Sequence, residues 1–139
     1  MKSEIIDKSL ALVDRSFTGV LGTVDENGFP QVKAMIKTAA NGLKEFWFCS
    51  NTSSKRAAQI QRNPNACLYF YDEKTFEGLL LTGRADVSHD LEKKEFWADG
   101  MERYYPQGVT DPDFALIKFT ASKGNYYHGL NNIDFYIND

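Results

Sequence analysis

The sequence predicts a mainly β protein whose antiparallel strands close into a barrel, with a few α-helices at its periphery. Runs of β-branched and aromatic residues recur along the chain between short polar turns. The plainest is Asp25-Glu26-Asn27-Gly28, because Asn-Gly between two such runs signals a hairpin. Helical patterning interrupts the strands instead of alternating with them, which argues against a doubly wound parallel sheet. The 139 residues show neither an internal repeat nor a low-complexity linker, so a single domain over 1–139 is expected.

Taken in order, residues 4–15 carry Ile5, Ile6, Leu10, Leu12 and Val13 in a helical stripe behind Ser3 as a cap. Strands follow at 18–24 and 31–37, on either side of the Asn-Gly turn. In the second of these, Val32, Ala34 and Ile36 alternate with Gln31, Lys33, Met35 and Lys37. The apolar set is expected to face inward and Lys33 to look out. Phe46, Trp47 and Phe48 form the next strand, after which Ser53 or Ser54 caps a helix that Asn63-Pro64 stops. Residues 66–71 and 78–87 are two further strands across a polar turn, and Ser88 or Asp90 caps a helix at about 91–101. A turn-rich loop, Tyr104-Tyr105-Pro106-Gln107-Gly108 and Asp111-Pro112-Asp113, leads to strands at 114–121, 125–128 and near 135–137.

Composition narrows the function. A net charge of −3 argues against a nucleic-acid partner, which needs a broad basic face. No apolar run approaches the length of a membrane span, and the N-terminus lacks the pattern of a secretory signal, so a cytoplasmic protein is expected. Cys49 and Cys67 lack metal-ligand spacing and are expected to be buried reduced thiols, while His89 and His128 have no paired ligands; no metal site is expected. Neither a nucleophile elbow nor a dinucleotide glycine fingerprint is present. Residues 92–95 are a mixed charge run suited to a solvated helix face. Aromatic residues make up 14% of the chain, which suits a β core and equally a flat ligand or an aromatic interface.

The block at 46–72, FWFCSNTSSKRAAQIQRNPNACLYFYD, holds a local anomaly. Its helix opens on Lys55 and Arg56, where the macrodipole already places partial positive charge, and each cation there costs roughly 0.3–1 kcal/mol. A bound phosphate reverses the sign. Free N–H groups, serine hydroxyls and two cations then converge on one anion, and each charge-assisted hydrogen bond contributes roughly 1.5–3 kcal/mol. For these residues taken alone, the alternative is a solvated basic turn with Ala57, Ala58 and Ile60 as its packing face.

Four segments, GVLGTVDENGFPQVKAMI, the 46–72 block, LLLTGRADV and YYPQGVTDPD, together resemble the flavin-binding split-barrel family that includes pyridoxamine 5′-phosphate oxidase. The likeness is closer to its short bacterial branch of general stress proteins and runs from about residue 18 to about 119; the 46–72 block is its most specific part. The resemblance implies a Greek-key antiparallel split barrel of the FMN-binding type, with FMN held without a covalent bond at the interface of a homodimer. By position, Lys33 takes the place of a strand arginine, and Ala34, Met35 and Ile36 line the isoalloxazine through their backbone. Cys49 and Ser50 fall at the end of the third strand, and Ser54, Lys55 and Arg56 match the phosphate clamp, with the two cations in the reverse of the oxidase order. Trp97, Tyr104 and Tyr105 would stack on the flavin from the partner subunit or lid the substrate side, core or interface packing being the alternative.

Departures from the oxidase pattern bear on activity. Gly78 stands where the oxidase has a glutamine reaching the flavin ring, and NYYHGLNNIDFYIND has no counterpart of the segment that grips the vitamin phosphate. The resemblance therefore implies a flavin-dependent oxidoreductase of an unidentified small molecule, not a true pyridoxamine phosphate oxidase. The chemistry would belong to the flavin, and no catalytic side chain is assigned. A non-catalytic flavin or phosphate-ligand sensor on the same barrel is the alternative, and a deazaflavin or haem in place of FMN is another.

Overall fold

The computed structural model describes residues 2–88, 97 and 99–137. Helix α1 (Lys2–Arg15) leads into β1 (Thr18–Val24), β2 (Pro30–Ile36), β3 (Ala39–Asn41) and β4 (Glu45–Asn51). Helix α2 (Lys55–Arg62) is followed by β5 (Asn65–Asp72), β6 (Glu77–Ser88), β7 (Phe114–His128) and β8 (Asn131–Tyr136), with 3₁₀ turns at Met101–Arg103 and Gly108–Thr110. None of the described helices is long and apolar enough to cross a membrane.

Each strand pairing is antiparallel, in the order β2-β1-β5-β6-β7-β4-β3, and β8 adds to β7. The two ends of that order, β2 and β3, are neighbours in the chain, joined only by Lys37 and Thr38. So short a link spans about 10 Å. The sheet must therefore curl until its edges meet. The Lys37 N–H bonds the Phe17 carbonyl at 3.2 Å beside one edge, and the Thr38 N–H bonds the Trp47 carbonyl at 3.0 Å on the other. β2 then lies alongside β4 without forming a ladder, and the result is an antiparallel barrel open along one seam.

Alternation fills the interior. Leu21, Leu68 and Leu81 are cross-strand partners on β1, β5 and β6 and are fully buried, as are Phe46 and Phe119 on β4 and β7. Leu12 and Val13 of α1 and Ile60 of α2 join the same core. Burying each such side chain contributes roughly 1.5–3 kcal/mol. The hairpin turn closes as its sequence requires: Gly28 has φ +84°, and the Asp25 carboxylate accepts from the Asn27 and Phe29 N–H groups, each at 2.9 Å.

Several expectations need correction. On β2 the inward residue is Met35, whereas Val32 and Ile36 are 71% and 58% exposed. Alternation defines two faces without saying which is inside, and the register decides: Lys33 pairs with buried Leu21 and so shares Met35's face, although its side chain is exposed as expected. Ala58 is exposed, leaving Ala57 and Ile60 as the packing face of α2. Ser3 lies inside α1 instead of capping it. The strands expected at 114–121 and 125–128 are one strand, β7, because the extra residue Ser122 is absorbed at a register shift opposite Thr82 and Gly83. Strand β3 carries no distinctive apolar pattern and was not expected. The helix expected at about 91–101 lies for the most part outside the described residues, as do its cap Asp90, His89 and the 92–95 charge run.

Candidate functional site

Strand β4 leaves the barrel at Asn51, and α2 begins four residues later. Of the two candidate caps, Ser54 serves: its hydroxyl accepts the Ala57 N–H at 3.0 Å, and it sits 3.3 Å from the Ser50 hydroxyl. The N–H groups of Lys55 and Arg56, in the first turn, have no carbonyl of their own helix to bond. Buried Ala57 and Ile60 orient α2 against the barrel, so its N-terminus is aimed by packing.

That N-terminus opens onto the seam. A cleft of about 900 Å³ runs between β2 and the end of β4, lined by Lys33, Ala34, Met35 and Ile36 on one side and Cys49, Ser50, Ser54 and Arg56 on the other. Met101, Tyr104 and Tyr105 reach it from the loop before β7. Its volume suits a cofactor-sized ligand. The distribution of chemistry is polar at the α2 end and apolar along β2. Among the described residues no carboxylate pairs with Lys33, Lys55 or Arg56, whereas Arg15, Arg62 and Lys118 are each paired. Lys55 is exposed and does not line the cleft, and Trp97 packs behind it against Tyr105 and Phe114, at ring separations of 6.2 and 5.2 Å. Ten of the twelve residues singled out from sequence for the flavin site thus line a single cleft, Lys55 and Trp97 being the two that do not.

Tyr105 was expected as a stacking or lid residue, whereas Asp113 was not singled out for any role in the site. Tyr105, 5% exposed, places its hydroxyl 2.6 Å from Asn51 Oδ1 and 3.0 Å from the Ser50 carbonyl. Burial pushes that hydroxyl up to about 12, so it remains a donor at neutral pH. The Asp113 carboxylate accepts the Thr52 hydroxyl at 2.8 Å and the Ser53 N–H at 2.9 Å. Burial also pushes the Cys49 thiol up, with the Thr38 hydroxyl opposing in part, which keeps it in the protonated form rather than as a nucleophilic thiolate. No cluster suited to a metal occurs among the described residues.

At the other candidate position, Gly78 lies beneath the Tyr127 ring, and a Cβ there would sit 2.1 Å from it. The Tyr127 hydroxyl is hydrogen-bonded to that of Tyr69. The space a longer side chain at 78 would need is therefore filled by Tyr127.

A family model described as pyridoxamine 5′-phosphate oxidase matches residues 5–128. A pyridoxine/pyridoxamine 5′-phosphate oxidase of Legionella pneumophila (strain Lens) is 41% identical over 66 residues, 47% of this chain and 30% of that protein. The match thus spans about a third of the length of that curated relative. A crystal structure from Clostridium acetobutylicum, of a protein related to general stress protein 26 of B. subtilis (pyridoxinephosphate oxidase family), superposes with a TM-score of 0.88 and 42% identity over 99% of this chain and 97% of that one. A heme binding protein from Mycobacterium smegmatis shares the fold, with a TM-score of 0.76 at 14% identity over 95% of this chain and 57% of its own.

Proposed function

Because this chain belongs to the pyridoxamine 5′-phosphate oxidase family, we propose that its seam cleft binds FMN at the interface of a homodimer and that the protein is a flavin-dependent oxidoreductase of a small molecule. One observation carries this reading. Lys33, Arg56, the Ser50 and Ser54 hydroxyls and the α2 N-terminus form a donor set for a terminal phosphate, while Ala34, Met35 and Ile36 offer an apolar wall for a flat ring. Lys55, exposed beside the cleft, adds charge without lining it. The residues therefore fit the cofactor.

Bound FMN would supply hydride or single-electron transfer. The chain's own part is to hold the phosphate, set the ring against β2 and keep water from it. Oxidation of pyridoxamine phosphate is not the proposed reaction, since Tyr127 fills the place above Gly78 and the C-terminal strand carries no cluster of cations for a second phosphate. A non-catalytic flavin-binding module is the second reading, favoured by one observation: no carboxylate or imidazole lines the cleft among the described residues. The absorption spectrum of the purified protein tests both. Flavin bands, with FMN bound more tightly than riboflavin, support the site; equal affinity for the two defeats the phosphate clamp, and a haem spectrum replaces the reading. Reduction of the bound flavin by NADH or NADPH then separates the enzyme from the binding module.

A further inference from the structure

We infer that Asp113 is a positioning residue for the phosphate end of the cleft, holding the β4–α2 turn from outside it; the inference rests on the phosphate-clamp reading. The turn is short and polar and has no buried side chain of its own to fix it. Its order comes from across the chain. One Asp113 carboxylate oxygen accepts the Thr52 hydroxyl at 2.8 Å and the Ser53 N–H at 2.9 Å, and the other accepts the Ser53 hydroxyl at 3.2 Å. The Asp113 carbonyl accepts the Thr52 N–H at 2.9 Å. Asp113 is itself held, its N–H donating at 3.0 Å to Asp111, a carboxylate only 6% exposed that also accepts the Gln107 N–H at 3.1 Å.

These bonds sort the donors of the turn. The N–H groups of Thr52 and Ser53 are consumed by Asp113, and that of Ser54 by the Asn51 carbonyl at 3.1 Å. Left to face an anion are the Ser50 and Ser54 hydroxyls, the Lys55 and Arg56 N–H groups at the start of α2 and the Arg56 side chain. A carboxylate so near a phosphate site is unfavourable as a charge. Its contribution must then be geometric, and this separates shape from charge. Asp113→Asn keeps an oxygen for Thr52 and Ser53 and an amide to face the Ser53 hydroxyl while removing the charge; Asp113→Ala removes both.

The experiment titrates FMN and riboflavin against the wild type, Asp113→Ala and Asp113→Asn, with circular dichroism to establish folding. In the alanine variant the preference for FMN over riboflavin is expected to fall about tenfold, as for loss of charge-assisted bonds, with riboflavin affinity unchanged. In the asparagine variant the preference is retained. Should the alanine variant fail to fold, Thr52→Val stands in, with the same readings. An alanine variant that keeps the wild-type preference, or one in which both ligands weaken equally, overturns the positioning role alone. Equal loss in alanine and asparagine also overturns it, because charge would then be the cause. A wild type without preference overturns the phosphate-clamp reading and this inference with it.

Discussion

Arg56 illustrates how much a single residue can disclose. A cation at the positive end of a helix is locally unfavourable, and Arg56 stands on the cleft wall beside two serine hydroxyls, an arrangement that a bound anion would stabilise. Arg56→Ala is expected to weaken FMN binding by about 1.5–3 kcal/mol while leaving thermal stability equal or slightly raised, since the helix loses a misplaced charge. Fluorescence titration beside a melting curve checks this; an unchanged dissociation constant in a folded variant removes Arg56 from the site. Asp113 is the opposite case. Its contacts with Ser53 and Thr52 join residues 60 and 61 positions apart, and an aspartate in a Pro-containing turn already has a local explanation. Nothing in the residue pattern pointed to it as a support for the site. Trp97 shows a third outcome, an aromatic side chain whose size suits a ring stack but which packs in a small cluster with Tyr105 and Phe114.

At the scale of elements, legibility follows sequence separation. The β1–β2 hairpin, the cap of α2 and its stop at Asn63-Pro64 are local events, and the sequence predicts them to within a residue or two. Which face of β2 turns inward depends on its pairing with β1 and on a seam formed by distant strands. The continuity of β7 likewise depends on two partners: residues 123–128 pair with β8 on one side and β6 on the other, so Lys123 and Gly124 of the stretch that resembles a break stay in the ladder and Ser122 alone is skipped. Gly83 marks where the β6–β7 register shifts. A Cβ there would lie 2.0 Å from the Thr120 carbonyl oxygen, a backbone atom that cannot rotate away. Gly83→Ala is expected to destabilise by about 1–3 kcal/mol in urea denaturation, against little change for an alanine at exposed Leu130. Equal midpoints for the two variants would place the close approach elsewhere.

For the whole molecule, acid response and assembly are the collective properties. Asp25 is held below the usual carboxylate range by the Phe29 N–H, Asp72 by the Lys74 N–H and then Arg15, and Asp113 by the Thr52 hydroxyl and then the Ser53 N–H. The unfolded chain therefore takes up protons first. Stability is expected to hold from neutrality to about pH 4, the ordinary range, and to fall as pH drops through the lower folded values, as measured by urea midpoints against pH. The proposed assembly draws on a face that one chain leaves uncovered. Val32 and Ile36 on β2, Tyr71 on β5 and Leu80 on β6 are exposed, and the β1, β5 and β6 registers put them on one side of the sheet. The seam cleft borders that face, since Ala34 and Ile36 belong to both. In the proposed homodimer, a second copy would cover these side chains and close the cleft, so flavin affinity and self-association should be linked. Val32 does not line the cleft and is exposed in a single chain, so Val32→Glu leaves both the barrel and the phosphate donors intact. Sedimentation at micromolar concentration, followed at a flavin wavelength, should show the wild type as a dimer carrying FMN and Val32→Glu as a folded monomer that has released it. A Val32→Glu monomer with full flavin occupancy would mean that one chain completes the site, and the exposed face would then need another explanation.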